Sequence, residues 1–199
     1  MALNRQDIAR AGLRLLNEAG LNGLTLRLIA DDLGVKAPAL YWHLKNKQEL
    51  LDEMATRMYA DAAADREPAE PLDEWAHVAH RARALRRMML AYRDGGKVFS
   101  GTYLGDSALV GAHPLQPSLD SGLDPRRAAR ALFTLYSFVI GFTIEEQAVF
   151  PTPGERDERY ADAPADAPAD AVFGVDPDAA FEDGLAITVA GIRQWLQAT

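Results

Sequence analysis

The sequence predicts an all-α protein, and three observations carry that expectation. Apolar residues recur at spacings of three and four through most of the 199 residues. No stretch alternates apolar and polar residues between hairpin turns, as a half-buried strand would. Helix-start signals stand ahead of the apolar runs: Asn4, Thr25, Asn46, Asp124-Pro125 and Asp176-Pro177. Nine or ten helices are expected, arranged as a small N-terminal unit and a longer helical body.

In chain order, Asn4 caps a first helix from about Arg5 to Ala19, built on Ile8, Ala11, Leu15 and Leu16 and stopped by Gly20. Thr25 caps a short second helix that reaches Leu33 and ends at Gly34. A third helix from about Ala37 to Leu44 holds Pro38 in its first turn, where a missing N–H costs nothing. Asn46 caps a fourth, with Leu50, Leu51, Met54, Met58 and Tyr59 on one face, running towards Ala64.

Glu67 to Pro71 breaks the pattern, which resumes from Leu72 to Tyr92 and stops at Arg93-Asp94-Gly95-Gly96. Glycines and prolines restrict residues 97 to 123 to short helical pieces. From Arg126 to about Phe150 a helix apolar on nearly every side should be buried, and a last helix runs from Asp176-Pro177 to about Gln197. Between them, 151–175 holds a tandem Ala-Asp-Ala-Pro and reads as a flexible loop.

With 48% apolar residues the chain can bury a core, and with no cysteine it has no disulfide, thiolate metal site or cysteine nucleophile. No apolar run approaches the roughly 18 residues that span a bilayer, and no signal-peptide pattern opens the sequence, so a cytoplasmic protein without membrane contact is expected. The net charge of −8 is uneven: residues 1–50 carry seven Lys and Arg against five Asp and Glu, and the rest carries 14 against 24. Only the N-terminal piece is suited to approach phosphates.

Two short helices joined at Gly34 and braced by a preceding helix form a helix-turn-helix, whose second helix can enter the major groove of double-stranded DNA. Lys36, Ala37, Pro38 and Ala39 stand at the leading end of that helix, where base edges are met. Tyr41, His43 and Lys47 can donate to phosphate oxygens, and Arg27 adds a base or phosphate contact. Tyr41, Trp42 and His43 cannot all face inward on one turn, so some of this aromatic run is exposed for use.

The stretch from Leu24 to Val35, followed by Pro38 to Lys47 and Leu50-Leu51, resembles the DNA-binding domain of the tetracycline-repressor (TetR) family. The likeness continues at Tyr92 to Val98, Gly101-Thr102 and Ile144 to Gln147, so it spans most of the chain. It implies domains at 1–47 (DNA-binding) and 48–199 (effector-binding and dimerisation). It also implies a homodimer held by a four-helix bundle of the 125–150 and 177–197 helices, bound to a palindromic operator with half-sites about 34–36 Å apart. Family habit makes such a protein a repressor released by a small molecule.

By the same resemblance Leu85, Met88, Phe99, Thr102, Tyr103, Phe138 and Glu145 are the effector-site candidates. Tetracycline-binding members hold a magnesium chelate through a histidine placed where this chain has Phe99, and Ala63 replaces another histidine. Neither side chain can serve a hard cation, so no metal and no cofactor is expected, and the effector should be a different aromatic or polycyclic compound. Arg81, Arg83, Arg86 and Arg87 read as a solvated helix face, and His77 and His80 lack a third ligand. Ala37 and Ala39 replace polar base-reading residues, which shifts readout towards Lys36 and Arg27. No nucleophile elbow, P-loop or dinucleotide fingerprint supports an enzyme; a DNA-binding activator or architectural protein without an effector is the other alternative.

Overall fold

The computed structural model describes residues 3–104, 113–152, 154–160, 172–173 and 176–198. Among these it is built of α-helices and turns, with a single isolated β-bridge between Thr152 and Glu155. The helices are α1 (Arg5–Gly23), α2 (Leu26–Asp32), α3 (Ala37–Tyr41), α4 (Lys47–Asp61), α5 (Ala63–Arg66), α6 (Glu74–Leu90), α7 (Gly95–Phe99), α8 (Gln116–Asp120), α9 (Pro125–Val149) and α10 (Pro177–Gln197). Most of the loop predicted over 151–175 lies outside the described residues; within them, Glu158–Tyr160 form one 3-10 turn.

The predicted caps close the predicted helices. Side-chain oxygens of Asn4, Thr25, Asn46, Asp124 and Asp176 accept backbone N–H groups two or three residues into α1, α2, α4, α9 and α10. Asp73 does the same for α6, receiving Trp75 and Ala76 N–H at 3.0 and 2.9 Å. Gly20 leaves helical geometry at φ 65°, as a stop there predicts, although hydrogen bonding resumes through Gly23. α4 ends three residues before the expected Ala64, at a bend on Ala62 that starts α5.

α1 packs along α4, and their buried residues Ile8, Leu16, Leu50 and Met54 join those of α2 and α3 in one core. The second layer is α6, α7, α9 and α10, where α9 packs on the other three. α9 has the length and apolar composition of a membrane-spanning segment, and the face it turns to the other helices, with Leu135, Val139 and Ile140, is buried.

Arg86 is not part of a solvated face: it is 6% exposed and meets Glu146 through two hydrogen bonds of 2.8 and 2.6 Å, with Asp178 at 2.6 Å on its other arm. The position follows from helical spacing, since Arg86 lies four residues after Ala82 and three before Met89, both buried. A buried guanidinium needs such a partner, and the fork-to-fork geometry supplies one. Beside it Gln147 ties the end of α6 to the start of α7, donating to the carbonyls of Met89 and Tyr92 and accepting Gly96 N–H at 2.9 Å.

Candidate nucleic-acid interface and ligand cavity

The turn between α2 and α3 is fixed by a Schellman arrangement. Gly34 sits at φ 65°, its N–H donates to Asp31 carbonyl, and Val35 N–H donates to Ala30 carbonyl at 2.9 Å. α3 then starts at Ala37 and Pro38; its α-helical hydrogen bonding ends at Tyr41, and a further turn closes as His43 and Leu44 N–H both donate to Leu40 carbonyl. Leu40 and Leu44 are fully buried and pin one side of this segment to the core.

The opposite side points to solvent. Tyr41 is 58% exposed and Trp42 89% exposed, while His43 is half-buried. Arg27, Lys36 and Pro38 are exposed, and Ala37 and Ala39 are half-buried. Among the described residues Arg27 and Lys36 have no ion-pair partner. Lys47 is exposed at the start of α4, and its ammonium donates to Leu21 carbonyl at 3.0 Å, which fixes the side chain where α1 ends. Arg14 and Arg5 are drawn away by Asp32 at 2.7 Å and by Glu53 at 2.8 Å.

Behind this unit, residues of α4, α5, α6 and α9 together with Pro114 line a partly open cavity of about 220 Å³. Val78, Leu85, Leu135 and Val139 give it aliphatic walls, Tyr59 and Tyr136 give it rings, and Arg66 and Arg81 face it. Burial pushes the Tyr136 hydroxyl above its ordinary pKa, so it stays protonated near neutrality.

Of the seven effector candidates, Leu85 lines this cavity and Phe99 flanks it, stacked on Tyr59 at 6.0 Å and tilted against Tyr136 at 6.5 Å between ring centres. Met88 is buried in the core, and Thr102 donates its hydroxyl to Phe99 carbonyl at 2.7 Å. Tyr103 and Glu145 are exposed. Phe138 packs instead on Phe142 and Phe181, between α9 and α10. Tyr59, Arg66 and Tyr136 are absent from the sequence-derived candidates, and Arg81, read from the sequence as part of a solvated helix face, instead lines the cavity with its side chain 13% exposed. A signal existed for Arg81, which lies three residues after Val78 and four before Leu85, on the apolar stripe of α6.

No carboxylate or imidazole lines the cavity among the described residues, and no three His, Asp or Glu side chains converge on one point. The described lining thus offers a magnesium ion neither carboxylate nor imidazole.

Residues 8–54 match the model for bacterial regulatory proteins of the tetR family, and residues 67–196 match the tetracyclin repressor-like C-terminal domain. The class A tetracycline repressor protein from transposon 1721 of Escherichia coli is 40% identical over 197 residues, covering 96% of this chain and 91% of that one. TetR-Q116A from Acinetobacter baumannii AYE, solved in complex with minocycline, superposes with a TM-score of 0.78 at 32% identity, covering 99% of this chain and all of the other. TetR class A in complex with 5a,6-anhydrotetracycline and magnesium gives a TM-score of 0.72 at 36% identity, over 96% of this chain and 99% of that one. The chain therefore belongs to the TetR family of DNA-binding transcriptional repressors.

Proposed function

We propose that this chain acts as a cytoplasmic homodimer that holds a palindromic operator shut through the α2–α3 heads of its two protomers, and lets go when a metal-free aromatic compound enters the cavity. The observation that carries this reading is the surface formed by Tyr41, Trp42, Arg27 and Lys36. An indole left 89% exposed on an otherwise well-buried three-helix unit is matched to a partner surface. Cations beside it supply the attraction to phosphates.

α4 couples the two sites, because its first turn carries Lys47 beside the head and its last carries Tyr59 in the cavity wall. A ligand that displaces Tyr59 by moving its backbone tilts α4 and with it the head. Binding and release are then a shift between two populations. We assign residues 1–47 to the head and 48–199 to the ligand-binding and dimerisation body, with α4 crossing from one to the other.

The relatives solved with minocycline and with 5a,6-anhydrotetracycline and magnesium support control by a small molecule. The lining described above favours an effector without the metal. The test is an anisotropy titration of the full chain against DNA flanking its own gene, with random DNA as reference and with Tyr41→Ala alongside. Tight, salt-sensitive binding that the variant loses is expected. Equal binding to both DNAs, followed by a genome-wide selection that enriches nothing, would end the reading.

A further inference from the structure

Side chains from outside α1 meet the backbone groups at its end. The Arg93 guanidinium donates to Glu18 carbonyl at 3.4 Å, and the Asp94 carboxylate accepts Leu21 N–H at 3.0 Å. The carbonyl of the same Leu21 accepts the Lys47 ammonium at 3.0 Å. The last carbonyls of a helix have no partner within it, and a cation is favoured there. α2 and α3 both lie between Leu21 and Lys47 in the chain, so this hydrogen bond joins the entry of the α2–α3 unit to its exit. Elsewhere along the two helices, Arg5 pairs with Glu49 at 3.3 Å and Glu53 at 2.8 Å, and a Cβ on Gly12 would stand 2.9 Å from the Met54 sulfur. Those contacts set where α1 crosses α4; Lys47 sets the gap between the end of one and the start of the other.

We propose that Lys47 is a positioning residue for operator binding: its ammonium clasps the base of the α2–α3 unit on Leu21 carbonyl rather than neutralising a DNA phosphate. The inference rests on the reading of α2–α3 as the DNA head and adds how that head is held. The two roles of a lysine leave different marks on binding. One that contacts a phosphate releases a counterion and contributes about 1 to the slope of log affinity against log salt. One that shapes the head changes affinity alike at every salt concentration, and its loss loosens the head before any DNA is present.

The test uses the full-length protein and the tightest-binding fragment of the DNA flanking its own gene, titrated by anisotropy over a range of salt concentrations. Lys47→Met should lower affinity about ten-fold, as the loss of one hydrogen bond from a charged donor does, with the salt slope unchanged. Hydrogen exchange without DNA is the second readout. The amides of Leu33 and Leu44, which donate to the Ile29 and Leu40 carbonyls, should exchange about ten-fold faster in Lys47→Met. Amides of α9 should keep the parent rates, which shows that the variant is folded. Lys47→Arg, whose guanidinium can donate to the same carbonyl, should restore both affinity and protection. A slope lowered by about 1, an unchanged affinity, or Leu33 and Leu44 protected as in the parent chain overturns the proposal. A parent chain that binds no fragment better than random DNA removes the reading head instead, and the exchange rates then still decide whether Lys47 clasps the unit.

Discussion

The carboxylate of Asp94 accepts the backbone N–H of Leu21 at 3.0 Å, joining the α6–α7 corner to the end of α1. Gly20 makes the approach possible: a Cβ there would stand 3.2 Å from the Arg93 guanidinium and 3.3 Å from the Asp94 carboxylate. Arg93 N–H donates to the Asn17 side-chain oxygen at 2.9 Å, so two consecutive residues of the body hold the C-terminal part of α1. Asp94 itself sits at φ 56°, a conformation that Asp and Asn tolerate better than alanine.

Asp94→Ala is therefore expected to cost about 2 kcal/mol, from the lost acceptor and the left-handed backbone together. Asp94→Asn, which keeps an acceptor and the backbone preference, should cost about half of that or less. Urea unfolding of the two variants checks the ranking.

The same residue gives a pH dependence. Burial raises the Asp94 carboxyl, but the Leu21 N–H and the Lys97 ammonium, 2.9 Å away, outweigh it and hold the group below its ordinary range. A carboxyl depressed in the folded state stabilises above its unfolded pKa, and that contribution disappears as pH falls through the folded value. Melting temperatures taken from neutral pH downwards should fall less steeply for Asp94→Asn than for the parent chain. Parallel curves would remove Asp94 from the acid limb.

Arg86 and Glu146 form the buried charge pair of the body. Removing one partner, as in Glu146→Leu, strands a guanidinium and is expected to cost about 3–5 kcal/mol. The double substitution Arg86→Met with Glu146→Leu should recover most of that loss. Asp178, mostly in solvent, contributes about 1 kcal/mol at most. A double-mutant cycle by chemical denaturation measures the coupling. If the double variant is as unstable as the worse single one, packing around Phe181, whose ring centre lies 4.7 Å from the Arg86 guanidinium carbon, matters more than charge.

Much of this architecture is legible in the sequence because helix starts are local. Asn4, Thr25, Asn46, Asp124 and Asp176 announce themselves by side chains that satisfy N–H groups within the same turn. The turn at Gly34 is equally local. Side-chain burial is less so, because it depends on which helices meet. Glu145 is the effector candidate that the resemblance implies, yet the carboxylate that finds a buried partner is Glu146, rotated by about 100° on the same helix. The cavity is less legible still, since Tyr59, Arg81 and Tyr136 come from three helices and no spacing within one of them reveals the enclosure.

On the head, the exposed rings and cations should separate by their salt dependence. Lys36→Ala and Arg27→Ala each remove one charge and are expected to lower the slope of log affinity against log salt by about 1 when they contact phosphates. Trp42→Ala should weaken operator binding with the slope unchanged, because an indole releases no counterion. Thermal melts should be nearly the same for all three, since none of these side chains is buried.

The outer face of the body makes the last prediction. Phe133 on α9 is 68% exposed and Ile187 on α10 is 74% exposed, on the two helices that supply the proposed bundle. Single exposed apolar residues are ordinary, but large ones on adjacent, closely packed helices form a surface that a second copy can cover. α9 and α10 are held tightly together within one chain: a Cβ on Gly184 would stand 2.7 Å from the Phe138 ring, so the outer face is presented rigidly. Ile187→Glu places a charge at the centre of such an interface while leaving the inner face of α10, Phe181 and Leu185, untouched. The variant is expected to keep its helical circular dichroism and to sediment as a monomer at micromolar concentration. Its operator affinity should fall to the nonspecific level, because a palindrome rewards two heads held at a fixed separation and one head alone meets half the contacts. A variant that remained dimeric with full affinity would place the interface elsewhere.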